Sequence, residues 1–279
     1  MRRVLALAIL PVLLMSFASC SKYKLIAAAK RADTKYMKKL LDKGVGVDGR
    51  DNRGWTVLMV ASRDGMDDMA EKMLASGADV NIKGDDDFTP LFLASGKGHL
   101  KIVKMLLDKG ADVDLTGPGG LTPLFVASQE GHFDIVMMLL EYSTWIDTSD
   151  ENSKKILLKV TYHGQTMAVK KLLEKGADAN MKDDEGATPL FLSSWKGYTD
   201  IVELLLEKGA DGNMKSITDA VPLHASAKGG HEEITRMLLE SGADVSPLAP
   251  GGATALFLAS WRGRTAIVKM LLDAGSDAN

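Results

Sequence analysis

The chain has 279 residues, 46% of them apolar and 25% charged, enough apolar material for a sizeable core and too much for a disordered chain. Its formal net charge of −3 excludes the basic balance of a nucleic-acid-binding protein. The charge is uneven, because residues 20–50 hold nine Lys/Arg (Lys22, Lys24, Lys30, Arg31, Lys35, Lys38, Lys39, Lys43 and Arg50) against three Asp, and the chain beyond them is acidic.

In chain order, the first stretch is MRRVLALAILPVLLMSFASC. Arg2 and Arg3 precede an apolar run from Val4 to Met15, with small residues before Cys20. This order predicts a secretory signal peptide over residues 1–19, with an apolar run too short to span a bilayer. Cys20 is the only cysteine and has no internal disulfide partner. The FASC tetrad resembles the lipobox of bacterial lipoproteins, with Phe17 where Leu is usual. That resemblance implies a lipid on Cys20 as the first mature residue; the alternative is an ordinary secreted protein cut nearby. Both imply export from the cytoplasm, and the lipid anchor implies the cell envelope, on the periplasmic or surface side of a membrane. A lipid on Cys20 would hold the basic segment 20–50 against a membrane, where anionic headgroups favour it.

From residue 51 the chain repeats itself. Thr56, Thr89, Thr122, Thr188 and Thr254 are spaced by 33 residues or its multiples, with Lys155 and Val221 in the two remaining places. After these positions come TVLM, TPLF, TPLF, KILL, TPLF, VPLH and TALF, and GADVN, GADVD, GADAN, GADGN, GADVS and GSDAN recur at one phase. Each threonine suits a helix N-cap, and the following proline suits the first turn, where no amide needs a partner. Gly98 suits a left-handed helix end. Ile102, Val103, Leu106 and Leu107 predict the apolar stripe of a second helix, Gly110 ends it, and ADVDLTGPGG predicts an extended hairpin. Units this short are stable only when stacked.

A period of 33 residues carrying T-P-L-[HF], a central Gly-His, I-V-x-x-L-L and G-A-D-x-N resembles the ankyrin repeat over about 255 residues. The resemblance implies an all-α repeat solenoid of helix-turn-helix pairs joined by β-hairpin loops, about eight repeats in all. The expected division is a signal peptide at 1–19, then the lipid-attachment Cys20 with an atypical repeat at 20–50. Repeats follow at 51–83, 84–116, 117–149, 150–182, 183–215, 216–248 and 249–279, the one at 150–182 being degenerate. At the end of the repeat before it, Ser143 stands where a helix-ending glycine is usual and Trp145 where Asp is, which is either drift or a hinge or second binding point. Only His224 keeps the histidine of T-P-L-H; Phe92, Phe125, Phe191 and Phe257 replace it and are expected to be packed.

Little in the chain suggests chemistry. His99, His132 and His231 occupy the Gly-His position, His224 the T-P-L-H position, and only His163 falls off the template. The recurrent Asp79, Asp112, Asp178, Asp211, Asp244 and Asp277 are expected to bond backbone in the hairpins, and the acidic run Asp85–Asp87 lacks the spacing of a calcium loop. No phosphate-binding glycine loop, paired-cysteine zinc site or nucleophile elbow occurs. Catalytic, cofactor and metal sites are therefore not expected.

Function is expected where the copies differ. In ankyrin proteins the hairpin tips and inner helices form the binding face, and the matching variable positions here include Trp55, Phe88, Arg63, Tyr162, His163, Trp195, Lys196, Trp261 and Arg262. Trp, Tyr and Arg are the side chains that most often anchor interfaces. The expected activity is binding another protein, not nucleic acid. An inhibitor or immunity protein capping a toxic or hydrolytic enzyme, and a structural envelope protein, remain alternatives. The last repeat keeps Ile267, Val268, Leu271 and Leu272 instead of turning polar, which predicts self-association or a partner at that end.

Overall fold

The computed structural model describes residues 24–29, 31, 33–143 and 151–278. They divide into two compact units at Ser143. The first contains α1 (24–29), α2 (Thr34–Asp42), α3 (Val57–Asp64), α4 (Asp67–Ala75), α5 (Pro90–Lys97), α6 (Leu100–Asp108), α7 (Pro123–Glu130) and α8 (Phe133–Tyr142). The second contains α9 (Glu151–Tyr162), α10 (Thr166–Glu174), α11 (Pro189–Lys196), α12 (Thr199–Glu207), α13 (Pro222–Gly229), α14 (Glu232–Glu240), α15 (Ala255–Trp261) and α16 (Thr265–Asp273). Each unit is an all-α repeat solenoid of two helical layers. In the first, α3, α5 and α7 pack side by side, as do α4, α6 and α8; in the second, α9, α11, α13 and α15 form one layer and α10, α12, α14 and α16 the other.

The capping expected from sequence is present. The hydroxyls of Thr89, Thr122, Thr188 and Thr254 each accept the N–H three residues on at 3.1 Å, and Thr56 does so at 3.3 Å. Gly98 is left-handed at φ 78° and closes α5 with its N–H on the Ala94 carbonyl. Ile102, Val103, Leu106 and Leu107 are buried, as their spacing implies. Each such side chain contributes about 1.5–3 kcal/mol on burial, and a single helix pair has nowhere to place its stripe except against the next pair.

The hairpins are shorter than expected. No extended strand occurs among the described residues, only an isolated bridge between Ala249 and Ala253. Each tip is a tight turn closed by one bond between residues four apart, as from Gly84 N–H to Phe88 O at 3.0 Å and from Asp183 N–H to Ala187 O at 3.1 Å. Successive loops are tied by backbone bonds at two tips, Asp85 N–H to Arg53 O and Ile217 N–H to Glu185 O, both 3.0 Å, and by side chains elsewhere. The carboxylate of Asp79, Asp112, Asp178, Asp211 and Asp244 accepts the N–H two residues on, at 2.8–3.0 Å. In turn Asn81, Asn180 and Asn213 accept the N–H of Asp112, Asp211 and Asp244 in the next loop, at 2.9, 2.7 and 2.8 Å. Ser246 bonds Asp244 through both its N–H and its hydroxyl, and these bonds hold the Asp244 carboxyl below the usual range.

A second tie joins neighbouring repeats through the Gly-His position. The ring of His99 lies over Gly65, that of His132 over Gly98 and that of His231 over Gly197; Tyr198 and Arg264 do the same over Gly164 and Gly230. His99 Nε2 is 3.1 Å from the Arg63 carbonyl and His231 Nε2 3.3 Å from that of Trp195. These glycines end the inner helices in a left-handed turn and also leave room for the next repeat's ring.

The degenerate repeat and the end of the repeat before it differ where their sequences do. Ser143 has extended dihedrals, φ −68° and ψ 136°, in place of a left-handed helix end. The inner helix that follows, α9, has 12 residues against 8 in α11, because it begins at Glu151 ahead of the Lys155 that fills the threonine position. Trp145 lies outside the described residues, as does Cys20.

Candidate protein interface

The expected interface residues fall into two groups, one in each unit. In the first unit Trp55 corrects the sequence reading, since its ring is 3% exposed and cannot offer its own area to a partner. Its indole N–H donates to both carboxylate oxygens of Asp86, at 3.0 and 3.1 Å, and Phe88 meets it edge-on at 5.8 Å. The Arg53 and Arg63 guanidinium carbons stand 4.7 and 5.2 Å from the ring centroid. Arg63 is held in a fork by Asp64 at 2.6 and 2.7 Å, and this bond raises its pKa further. Trp55 therefore orders the first tip, and the half-buried Arg63 and Phe88 form its surface. Part of the acidic run is also structural: Asp86 holds the indole and Asp87 turns the chain at φ 64°.

The second unit presents its aromatics openly. Tyr162, Trp195, Lys228 and Trp261 occupy one register position at the C-terminal ends of α9, α11, α13 and α15, with His163, Lys196, Gly229 and Arg262 one residue on. Trp195 is 50% and Trp261 65% exposed. Lys196 Nζ stands 4.0 Å from the Tyr162 ring centroid and 4.7 Å from that of Trp195, and the Arg262 guanidinium 4.6 Å from Trp261. His163 meets Tyr162 edge-on at 5.3 Å. Desolvation lowers the His163 pKa, and the charges of Lys159 and Lys196 lower it further. The result is a ledge of flat rings interleaved with cations, and those cations constrain the rings before any partner arrives.

The four phenylalanines expected to be packed do not behave alike. Phe92 is buried against Phe88, ring centroids 5.6 Å apart, with Gly117 of the next loop over it. Phe125 and Phe191 are half-buried, whereas Phe257 is 58% exposed, a correction with a simple cause: no following loop covers it among the described residues. Leu272 is also exposed, and both border a groove with Gly252 and Val268. His224, which holds the same motif position, bonds through its imidazole, with Nδ1 accepting the Val221 N–H at 3.1 Å and Nε2 3.0 Å from the Pro247 carbonyl. Among the described residues no group of His, Cys, Asp and Glu could hold a metal ion, and no helix is long and apolar enough to cross a membrane.

The profile described as Ankyrin repeats (3 copies) matches residues 7–84, 82–152, 142–216 and 217–279. The chain belongs to the ankyrin-repeat family. The crystal structure of the human ASB11 ankyrin repeat domain resembles it with a TM-score of 0.60 and 26% identity, over 80% of this chain and 99% of that one. No curated protein matches it significantly. Ankyrin repeats are interaction modules, so the constant residues of this chain account for its scaffold and the variable ones are where a partner is to be sought.

Proposed function

We propose that this chain is an exported ankyrin-repeat scaffold, anchored by a lipid on Cys20, that holds another protein through the variable side chains of its inner helices and loop tips. The observation that carries the reading is the set of large rings left open on repeat-variable positions, Tyr162, Trp195 and Trp261. Every constant aliphatic position of α6 is buried, so the open rings are not needed to build the scaffold. Arg63 and Phe88 are the corresponding surface in the first unit, with Trp55 ordering them. The reading includes no catalytic role. The ordered ledge favours a discrete partner over a purely structural envelope role, and an inhibitor that caps an enzyme is one form of it. The basic segment 20–50, with Lys35, Lys38 and Lys39 exposed, would add an electrostatic contact to a lipid anchor, and the surface around Phe257 and Leu272 a contact with a second copy.

Two measurements test this. In pull-downs from envelope extract, the full chain should retain a partner that the Trp195→Ala/Trp261→Ala variant loses. Hot-spot tryptophans each cost about 2 kcal/mol or more on truncation, so the double variant should bind on the order of 1000-fold more weakly while keeping its helical signal. Retention of the same partner by the folded variant would remove the assignment. For the anchor, labelled fatty acid should be incorporated into the wild type and not into Cys20→Ala; equal labelling of both, or of neither, rules it out.

A further inference from the structure

We propose that the ledge of the second unit recognises an acidic, extended segment of its protein partner, one with carboxylates at about every third residue. This inference rests on the protein-binding reading and names the chemistry of the partner.

The charge on the ledge is of one sign. From residue 152 on, the inner helices α9, α11, α13 and α15 contain no Asp or Glu, yet they carry or end beside Lys159, Lys196, Lys228 and Arg262. The first unit is mixed at the same register, with Arg63 next to Asp64, then Lys97, then Gln129 next to Glu130. Among the described residues none of the four cations of the second unit forms an ion pair. The acidic loop residues Asp184, Glu185 and Asp219 precede the N-terminal ends of α11 and α13, roughly 12 Å from the ledge for helices of eight residues. A partner therefore meets a positive strip bordered by acidic groups, the loop carboxylates and Asp200, Glu232 and Glu233 at the starts of α12 and α14, which confines where its own acidic groups go.

Spacing sets the form of the ligand. Packed helices stand about 8–10 Å apart, and an extended polyproline II segment advances about 3.1 Å per residue with every third side chain on one face. One repeat thus corresponds to about three residues of a segment lying across the helix ends, and four repeats to about ten. Residues between the carboxylates would lie on Tyr162, Trp195 and Trp261. Lys196 and Lys228 also complement the C-terminal dipoles of their own helices, an effect of tenths of a kcal/mol that leaves the open tryptophans unexplained.

The test uses the full chain and labelled peptides of about ten residues: glutamate at every third position with Thr and Pro between, the same composition with the glutamates contiguous, and the lysine counterpart of the first. Fluorescence anisotropy should show the spaced glutamate peptide binding at least about tenfold more tightly than either control, with affinity falling as salt rises. Lys196→Glu/Arg262→Glu should abolish that preference, and the neutral Lys196→Gln/Arg262→Gln should weaken it, both keeping the wild-type helical signal and cooperative urea unfolding. Absence of binding, equal binding of spaced and contiguous peptides, or unchanged binding in the folded charge-reversed variant would overturn the proposal. Tighter ledge-dependent binding of phosphatidylserine vesicles or a single-stranded oligonucleotide would overturn the partner class. If the charge-reversed chain still captures the envelope partner that Trp195→Ala/Trp261→Ala loses, the acidic segment is wrong and the protein-binding reading stands.

Discussion

Replacing Gly197 by alanine is expected to destabilise the second unit by about 2–4 kcal/mol. Gly197 ends α11 at φ 80°, where an L-residue is strained by about 1–2 kcal/mol, and an added Cβ would lie 2.5 Å from the His231 ring. That ring cannot simply turn away, because its Nε2 meets the Trp195 carbonyl. Gly209 is the control. It has nearly the same φ, 79°, with nothing within 4 Å of the added carbon, so Gly209→Ala should show the backbone cost alone, about 1–2 kcal/mol. Urea unfolding followed by circular dichroism measures both. Equal losses would mean that the ring gives way freely and that the tie between these repeats is slack.

The second large effect is expected at His224. Its buried ring satisfies two backbone groups, the Val221 N–H of its own repeat and the Pro247 carbonyl of the next loop. His224→Leu leaves both unpaired, at about 1–3 kcal/mol each, so a total loss of about 2–6 kcal/mol is expected. The same geometry fixes the neutral tautomer, with the proton on Nε2. Burial pushes the pKa below its ordinary 6.5, while the bonds to the Pro247 and Ala253 backbone oppose that shift. Between the lowered folded value and 6.5 the unfolded chain binds more protons than the folded one. The contribution of His224 is therefore complete above about pH 6.5 and is lost as pH falls through that window. His163, whose pKa is also lowered, gives a slope of the same sign, so the comparison is between the urea midpoints of wild type and His224→Leu at several pH values. If the two curves run parallel across the window, the imidazole is not the source of acid sensitivity.

How far the residues alone led depended on whether a feature was set within one repeat or between neighbours. The threonine caps, the left-handed glycines and the stripe of Ile102, Val103, Leu106 and Leu107 are local, and they read directly as helix starts, ends and buried faces. The depth of a ring is not local. Trp55 and Trp195 both stand on variable positions, yet Asp86 and two arginines enclose the first while the second lies open. Phe92 and Phe257 share one motif position and differ because a loop of the next repeat covers only the first. The role of His99, His132 and His231 was missed in the same way. The available signal was that each stands one residue past the next copy of the glycine that its ring covers. The short loop tips were also overread, because turn residues indicate a reversal without saying how many backbone bonds flank it.

The bonds that tie loop to loop have a consequence for how the stack opens. The amides of Asp112, Asp211 and Asp244 are each held by a side chain of the preceding repeat, although their own residues are exposed. Solvent can reach such an amide once its neighbour unfolds, whatever the state of its own repeat. Hydrogen exchange at these three positions therefore records the neighbour's fraying, so that comparing Asp211 with Asp244 gives the direction in which the second unit unzips.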